Sequence, residues 1–205
     1  MSSSCLKTLP IMKKILLIIA VVSLIGCTTS EKKEEKTEDH SEHQHEAKKE
    51  DTKKKPLSPR TASMSNFGNN HVHIDYGSPS KRGRMIFGGL VGYGTVWATG
   101  AHKATTISFD KDVIINSTEI PAGKYGLFTI PGEEEWTVII SKDWDMHLAD
   151  EYDETNDVVR VNASVQKLEE VVESLTFEVS EISDKNGQIT IKWDQTGVSF
   201  DIKNQ

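Results

Sequence analysis

The sequence predicts a mainly all-β protein, in which an antiparallel β-sandwich or jelly-roll-like domain with one short helix follows a signal peptide and a disordered linker. Three observations predict this fold class. Short alternating apolar runs recur through residues 59–205, Gly and Pro turn signals separate them, and residues 27–58 hold almost no apolar side chains. Strands at this spacing are typical of sandwiches and barrels. We therefore divide the chain into residues 1–26, 27–58 and 59–205.

Residues 1–26 are interpreted as a lipoprotein signal peptide. Lys13 and Lys14 form a basic start, and residues 15–25 form an apolar run interrupted by Ser23. The run is shorter than the roughly 20 residues that a helix needs to cross a bilayer, and it has the length of a signal-peptide core. Because Met12 directly precedes the basic pair, we expect translation to begin there. An ordinary secretory signal, cleaved after a small residue, is the alternative.

Cys27 follows Gly26 at the end of this run, where a lipoprotein signal places the cysteine that is acylated. Two or more acyl chains anchor a protein stably, whereas one chain binds reversibly. Since Thr28 rather than Asp follows, we expect anchoring in the outer membrane, facing the periplasm or the cell surface. Cys5 is the only other cysteine, so disulfides and cysteine-based metal sites are excluded from the domain.

The linker, residues 27–58, consists mainly of Glu, Lys, Asp, Ser and Thr. Such a segment cannot bury enough apolar surface to offset its chain entropy, so we expect it to be disordered. A flexible chain of this length has an average end-to-end distance of about 30 Å. His40, His43 and His45 lie within it. They form a loose site for metal ions or are polar filler, and we favour filler.

Nine runs are expected to be strands, and one segment is expected to be a helix. Val165, Leu168, Val171 and Val172 recur at helical spacing and predict a short helix over residues 165–173. Asn186-Gly187 predicts a hairpin turn. Residues 144–152 are expected to form a helical turn or an ordered loop. The expected strands are residues 71–76, 105–109, 113–116, 124–130, 136–140, 157–161, 175–182, 188–193 and 198–202.

Several motifs together resemble one bacterial family, known as domain of unknown function 2911. They are Ser-Pro-Ser-Lys-Arg-Gly-Arg at 78–84, Gly-Leu-Val-Gly-Tyr-Gly-Thr-Val-Trp at 89–97, and Pro-Ala-Gly-Lys-Tyr-Gly-Leu-Phe-Thr-Ile-Pro at 121–131. The resemblance implies a β-rich envelope protein, often a lipoprotein, without a settled activity. Many relatives carry Arg after the Trp and Asn-Glu after Gly-Ala. This chain has Ala98, His102 and Lys103 at those positions, so any role of the relatives' Arg and Glu cannot be carried over to it.

Histidines provide the candidate metal ligands. His71 and His73 share one strand face with Asp75, because side chains alternate along a strand. Together with His102 and His147 they could form a three- or four-nitrogen site for Zn or Cu. The alternative is that His71 and His73 form a solvated strand face and that His102 bonds to backbone.

Tryptophans and one arginine provide a candidate ligand pocket. Trp97 and Trp144 lie beside glycine-rich or loop segments and are expected to line it, whereas Trp136 and Trp193 are expected in the core. Arg84 could hold a carboxylate or phosphate, or it could pair with a buried carboxylate such as Asp75 or Asp157. The acidic residues between 143 and 157 lack the spacing of a Ca²⁺-binding EF-hand and are expected to form a solvated loop.

Charge and missing motifs exclude several function classes. Within residues 59–205, 22 Asp and Glu outnumber 13 Lys and Arg, and an acidic domain repels nucleic-acid backbones, so no nucleic-acid partner is expected. The sequence has no P-loop, no Gly-x-Ser-x-Gly and no His-Glu-x-x-His. Three hypotheses stay open: a module that binds a small ligand or a metal ion, a metal-assisted hydrolase of the envelope, and a structural or partner-docking protein without a pocket.

Overall fold

Buried and more exposed side chains alternate along strands such as Asn70–Gly77 in the computed structural model, which describes residues 56–205. The predicted signal peptide, Cys27 and most of the predicted linker lie outside the described residues. The nine strands are β1 (Arg60–Phe67), β2 (Asn70–Gly77), β3 (Thr105–Phe109), β4 (Val113–Ile115), β5 (Thr118–Ile120), β6 (Gly123–Ile130), β7 (Glu135–Ser141), β8 (Asp157–Ser183) and β9 (Asn186–Asn204). One turn of 3-10 helix, Glu154–Asn156, precedes β8. The all-β prediction is confirmed.

The strands form one antiparallel sheet in the order β1-β2-β3-β6-β7-β8-β9-β4-β5. The start of β8 pairs with β7, and from Val165 onward β8 pairs with β9, so this strand joins the two halves of the sheet. The halves meet around β2, because Tyr76 packs on Phe177 with 4.6 Å between ring centroids. The sheet is not closed into a barrel: β1 and β5 are its edges.

The main hydrophobic core lies between the two halves of the sheet. The inward residues of β2 are Val72, Ile74 and Tyr76, and each is less than 5% exposed. Trp136 and Trp193 are 2% and 1% exposed, which confirms their expected place in the core. Phe87 packs between these rings, with its centroid 4.8 Å from that of Trp136. Core residues thus alternate with outward residues, as half-buried strands require.

A smaller core covers the other face of β6 and β7. Phe128 and Ile139 point away from the main core and are fully buried, together with Ala98, Ala104 and Met146 of the loops. These loops, residues 78–104 and 142–153, therefore cross the outer face of the sheet. β6 and β7 are buried on both faces as a result, and the loops are held where they can form a site.

The helix predicted over residues 165–173 is wrong, because this segment belongs to β8. The register of β8 with β9 shifts three times, and the first two shifts follow Lys167 and Val172. Between the pairs Lys167–Thr196 and Val172–Asp194, β8 advances by five residues while β9 advances by two. Extra residues in one strand bend it and change the phase of its alternation. Bulges thus place apolar residues three and four positions apart, which the sequence pattern cannot distinguish from a helix.

Other elements also differ from the expectation. The expected strands 157–161 and 175–182 both belong to β8, and 188–193 and 198–202 both belong to β9. The β8–β9 hairpin exists, but Ser183 pairs with Asn186, so Asp184 and Lys185 form the turn and Asn186-Gly187 begins β9. The sequence also missed β1 and β5, whose mostly polar and exposed residues resemble loops.

Within the described residues, no helix has the length and apolar character that crossing a membrane would require.

Candidate functional site

The outward face of β2 carries two of the candidate histidines. His71, His73 and Asp75 are half-buried while the residues between them are buried, which confirms that the three share one face. His73 pairs with Ser108 of β3, and Asp75 pairs with Thr106. These side chains form the floor of an open cavity of about 750 Å³, here called the trough. The trough is also lined by Arg60, Lys103, Asp110, Lys124, Trp144 and Asp145.

Most of the charged side chains of the trough form ion pairs. Arg60 pairs with Asp75, and it also donates to the carbonyl oxygens of Lys103 and Ala104 at 3.0 and 3.1 Å. The Nζ of Lys103 lies 3.8 Å from a carboxylate oxygen of Asp145. Lys124 instead lies over the Trp144 ring, 4.1 Å from its centroid, a cation–π contact. The trough is therefore a mixed-charge surface with one exposed aromatic wall.

A second, smaller cavity of about 380 Å³ lies between the two crossing loops and is here called the Arg84 pocket. The Trp97 ring stacks on that of Trp193 at 6.0 Å and an angle of 22°. Main-chain hydrogen bonds in both directions between Trp97 and Thr129 of β6 hold this ring in place. Further lining residues are Ser58, Pro79, Leu90, Val91, Gly100, Ala101 and Leu148.

Arg84 contributes positive charge to this pocket. Its Nε donates to the carbonyl oxygen of Lys81 at 3.0 Å, and one Nη donates to that of Ser80 at 2.6 Å. Neither expected carboxylate partner is used, because Asp75 pairs with Arg60 and Asp157 pairs with Arg160. No carboxylate among residues 56–205 forms an ion pair with Arg84. The pairing expected for Arg84 is thus absent from the described part of the chain.

The four candidate histidines divide between the two cavities. His71 and His73 lie in the trough, with 6.3 Å between ring centroids, and His102 and His147 line the Arg84 pocket. Among residues 56–205, no group of three or more His, Cys, Asp or Glu side chains is arranged to hold a metal ion. The structure therefore brings His102 and His147 together with Arg84 and Trp97, but separates them from His71, His73 and Trp144.

Carboxylates and amides orient two of these rings. Nδ1 of His71 lies 2.7 Å from Oδ1 of Asn66, and Nδ1 of His147 lies 2.9 Å from a carboxylate oxygen of Asp150. Because a carboxylate or amide oxygen accepts, Nδ1 is the donor in both hydrogen bonds, and these bonds leave Nε2 unused. His147 and Asp150 are both more than 60% exposed, so this pair is solvated.

Two glycines that sequence analysis did not single out hold the loops of the site. A Cβ on Gly77 would lie 2.2 Å from the carbonyl oxygen of Ala101, and one on Gly126 would lie 2.1 Å from that of Asp143. The loops carrying His102 and Trp144 therefore rest directly on strand backbone. The sequence signal was weak: Gly126 lies inside one of the motifs shared with the family, and Gly77 directly precedes another.

A partly buried hydrogen-bond network ends the loop of residues 142–153. Tyr152 donates to a carboxylate oxygen of Asp157 at 2.7 Å, and the Nε of Arg160 donates to the same oxygen at 2.7 Å. Burial, and then the hydrogen bond to Asp157, raise the pKa of Tyr152 to about 12. The bond to Asp157 also raises the pKa of Arg160. These residues brace the loop against β8. Most of the other acidic residues of this loop are exposed.

Replacing Tyr152 with phenylalanine is expected to remove the last tyrosine to ionise as the pH rises. Since folding raises the pKa of Tyr152 from 10.0 to about 12, its stabilising effect is complete below pH 10 and is lost as the pH approaches 12. Phenolate absorbance, followed with increasing pH, measures this step. A Tyr93→Phe variant is the control and should retain it. An unchanged final step in Tyr152→Phe would contradict the assignment.

Comparison with known proteins identifies a family but no activity. A family model described as "Protein of unknown function (DUF2911)" matches residues 58–202. Comparison with curated proteins and with solved structures gives no match. The matched region includes all nine strands and both cavities apart from the last residues of β9. The resemblance noted in the sequence is thereby confirmed, and the chain belongs to the DUF2911 family.

Proposed function

We propose that this protein is an outer-membrane lipoprotein, anchored through Cys27, whose β-domain binds a small anionic ligand with an apolar or aromatic body in the Arg84 pocket. The observation that carries the binding proposal is the unneutralised guanidinium of Arg84 beside a stacked indole. Support for the anchor is the sequence that ends at Cys27. A module that binds a ligand without a metal ion is the simplest function that uses both the Arg84 guanidinium and the stacked indole.

Arg84 is oriented as a binding group. Its bonds to the carbonyl oxygens of Lys81 and Ser80 leave its positive charge uncompensated, since carbonyls are neutral acceptors. The remaining N–H groups form the kind of planar fork that suits carboxylate or phosphate. A side chain held by two bonds loses less entropy on binding than a free one. An anion in this pocket would therefore gain directional, charge-assisted hydrogen bonds.

The rest of the pocket suits an apolar ligand body. Trp97 is half-buried over the buried Trp193, and Val91 and Leu148 add aliphatic walls. A volume of about 380 Å³ is within the range of small-molecule sites, which are mostly apolar with few polar groups. His102 and His147, which also line the pocket, can donate or accept hydrogen bonds. The arrangement favours a flat ring that carries one acidic group.

Replacing Arg84 with glutamine is expected to weaken binding of phenyl phosphate and of benzoate at least tenfold, because a hydrogen bond to a charged group contributes about 1.5–3 kcal/mol. Isothermal titration calorimetry on the chain without its signal peptide measures the dissociation constants. Benzyl alcohol tests the need for an anion and should bind more weakly than either. Arg82→Gln is the matched control. Equal affinities of Arg84→Gln and the unchanged protein would rule out this site.

Binding of Zn²⁺ or Cu²⁺ at His71 and His73 is a second candidate. One observation favours it: the hydrogen bond to Asn66 leaves the Nε2 of His71 available, as second-shell partners do for ligating histidines. A metal-assisted hydrolase would need such an ion with an open coordination position. Titration with zinc chloride, compared between the protein and its His71→Ala variant, tests the metal site, and the hydrolase function depends on the same site. If zinc binding is absent, or is unchanged in His71→Ala, both the metal site and the hydrolase function are ruled out.

A further inference from the structure

We propose that the end of the domain where the linker enters docks on an anionic phospholipid bilayer. The docking surface, here called the rim, consists of Leu57, Arg82, Met85, Leu90 and Tyr93. This inference rests on the lipid anchor of the proposed function, but it does not depend on a ligand in the Arg84 pocket. It assigns one face of the domain to the membrane and leaves the opposite end free.

The rim exposes apolar side chains that a monomer in water would normally cover. Met85 is 72% exposed, Leu57 70%, Leu90 50% and Tyr93 40%. Three of them belong to one turn: the amide of Leu90 donates to the carbonyl of Met85 at 3.1 Å, and Gly88 lies against the Tyr93 ring. Large apolar side chains grouped in this way mark an interaction surface.

Positive charge accompanies these apolar side chains. The guanidinium of Arg82 donates to the carbonyl oxygen of Leu57 at 2.5 Å, and Arg84 donates to carbonyls, so neither guanidinium pairs with a carboxylate of the described chain. Lys81 is neutralised by Asp194, and Glu173 accepts the main-chain N–H of Arg82. The domain as a whole is acidic, so an anionic surface repels most of it. Arg82 in the rim, with Arg84 close to it, therefore places positive charge beside exposed apolar side chains.

The rim is also the point at which the linker reaches the domain. Arg82 bonds to Leu57, and Ser58, Arg84 and Leu90 line one pocket, so the first described residues and the apolar turn share one end. In the sequence, 29 residues separate Cys27 from Leu57. A chain of that length spans at most about 100 Å, and as a flexible coil it averages about 30 Å. Both distances allow the rim to reach the lipid surface.

Tethering makes weak docking sufficient. Each cation near an anionic surface contributes about 1 kcal/mol, so Arg82, the neighbouring Arg84 and a few apolar side chains bind a bilayer weakly on their own. A short tether raises the local concentration to the millimolar range. The anchored domain is therefore expected to dock, while the free domain is expected to associate only weakly with vesicles.

A dye at the rim tests this proposal in the full lipidated protein. Tyr93→Cys, labelled with the environment-sensitive dye NBD, is reconstituted in vesicles that contain phosphatidylglycerol. The control label is Lys185→Cys, in the β8–β9 turn beside Gly68. β1 runs from the rim to this turn, a distance of about 25 Å for eight residues. We expect a several-fold rise and a blue shift in NBD emission at residue 93 and none at residue 185.

Two further variants identify the interactions. Arg82→Gln with Met85→Ser, made in the labelled Tyr93→Cys protein, should reduce the NBD rise at least threefold, and so should vesicles of phosphatidylcholine alone. A rise of equal size at residues 93 and 185, or no rise at either, would overturn the proposal. Failure of the anchor gives a different result, because an unacylated Cys27 would itself react with the dye and the protein would not remain with the vesicles.

Discussion

Replacing Cys27 with alanine is expected to abolish lipid attachment and remove the protein from the outer-membrane fraction. The apolar run at residues 15–25 is too short to span a bilayer, so the proposed anchoring depends on the acyl chains. Burial of each methylene group contributes about 0.8 kcal/mol, and two or more chains together make release negligible. Loss of the thiol therefore removes nearly all of the membrane affinity, and the rim alone leaves only weak association.

Metabolic labelling with a palmitate analogue measures this effect, combined with fractionation of the cell envelope. The unchanged protein should carry the label and begin at Cys27 when its mature form is analysed by mass spectrometry. Cys5→Ala is the matched control, since Cys5 precedes the expected start at Met12, and it should retain both label and location. Label retained in Cys27→Ala, or lost in Cys5→Ala, would contradict the lipoprotein interpretation.

Gly126→Ala is expected to lower the free energy of unfolding by about 2–3 kcal/mol, the upper part of the range for overpacking. The added methyl would lie 2.1 Å from the carbonyl oxygen of Asp143 and 2.6 Å from the Phe128 ring. A backbone carbonyl cannot rotate away as a flexible side chain can, so the loop must move. We expect Trp144 to move with it and to lose its contact with Lys124.

Chemical denaturation compares this variant with a matched glycine. A Cβ on Gly92 would meet only the Oγ1 of Thr95, at 3.3 Å, so Gly92→Ala should cost less than about 1 kcal/mol. Gly77→Ala, which meets the carbonyl of Ala101 at 2.2 Å, should behave like Gly126→Ala and displace the loop of His102. If Gly126→Ala were as stable as Gly92→Ala, the close packing of loop on strand would be wrong.

The fold could be predicted where burial follows the simple strand alternation. β2 shows this well: Val72, Ile74 and Tyr76 face the core while His71 and His73 face outward, as the sequence pattern indicated. The same reasoning failed in β8, where bulges change the phase of alternation. It also missed β1, whose side chains are mostly exposed and so leave no apolar pattern to detect.

Residue types pointed to candidate side chains, but the sequence did not predict how these side chains are grouped: Trp144, expected in the pocket, lines the trough instead. Trp97, Arg84, His102 and His147 were singled out by residue type, and all four line one pocket. Their separation from His71 and His73 depends on where two loops cross the sheet. Residue type says which chemistry a side chain can perform, but a loop position is decided by contacts far apart in the chain, such as Gly77 with Ala101.

By itself, the sequence determined the all-β class, the family resemblance and the acidic domain charge, because composition and local periodicity are read from neighbouring residues; the anchor at Cys27 stays a prediction. Only the tertiary structure decided that Arg84 lacks a carboxylate partner among the described residues while Asp75 and Asp157 pair with Arg60 and Arg160. Which charges neutralise each other depends on distances of a few ångströms between residues distant in sequence. Those distances are set by the packing of loops on the sheet, and the charge left over marks the pocket.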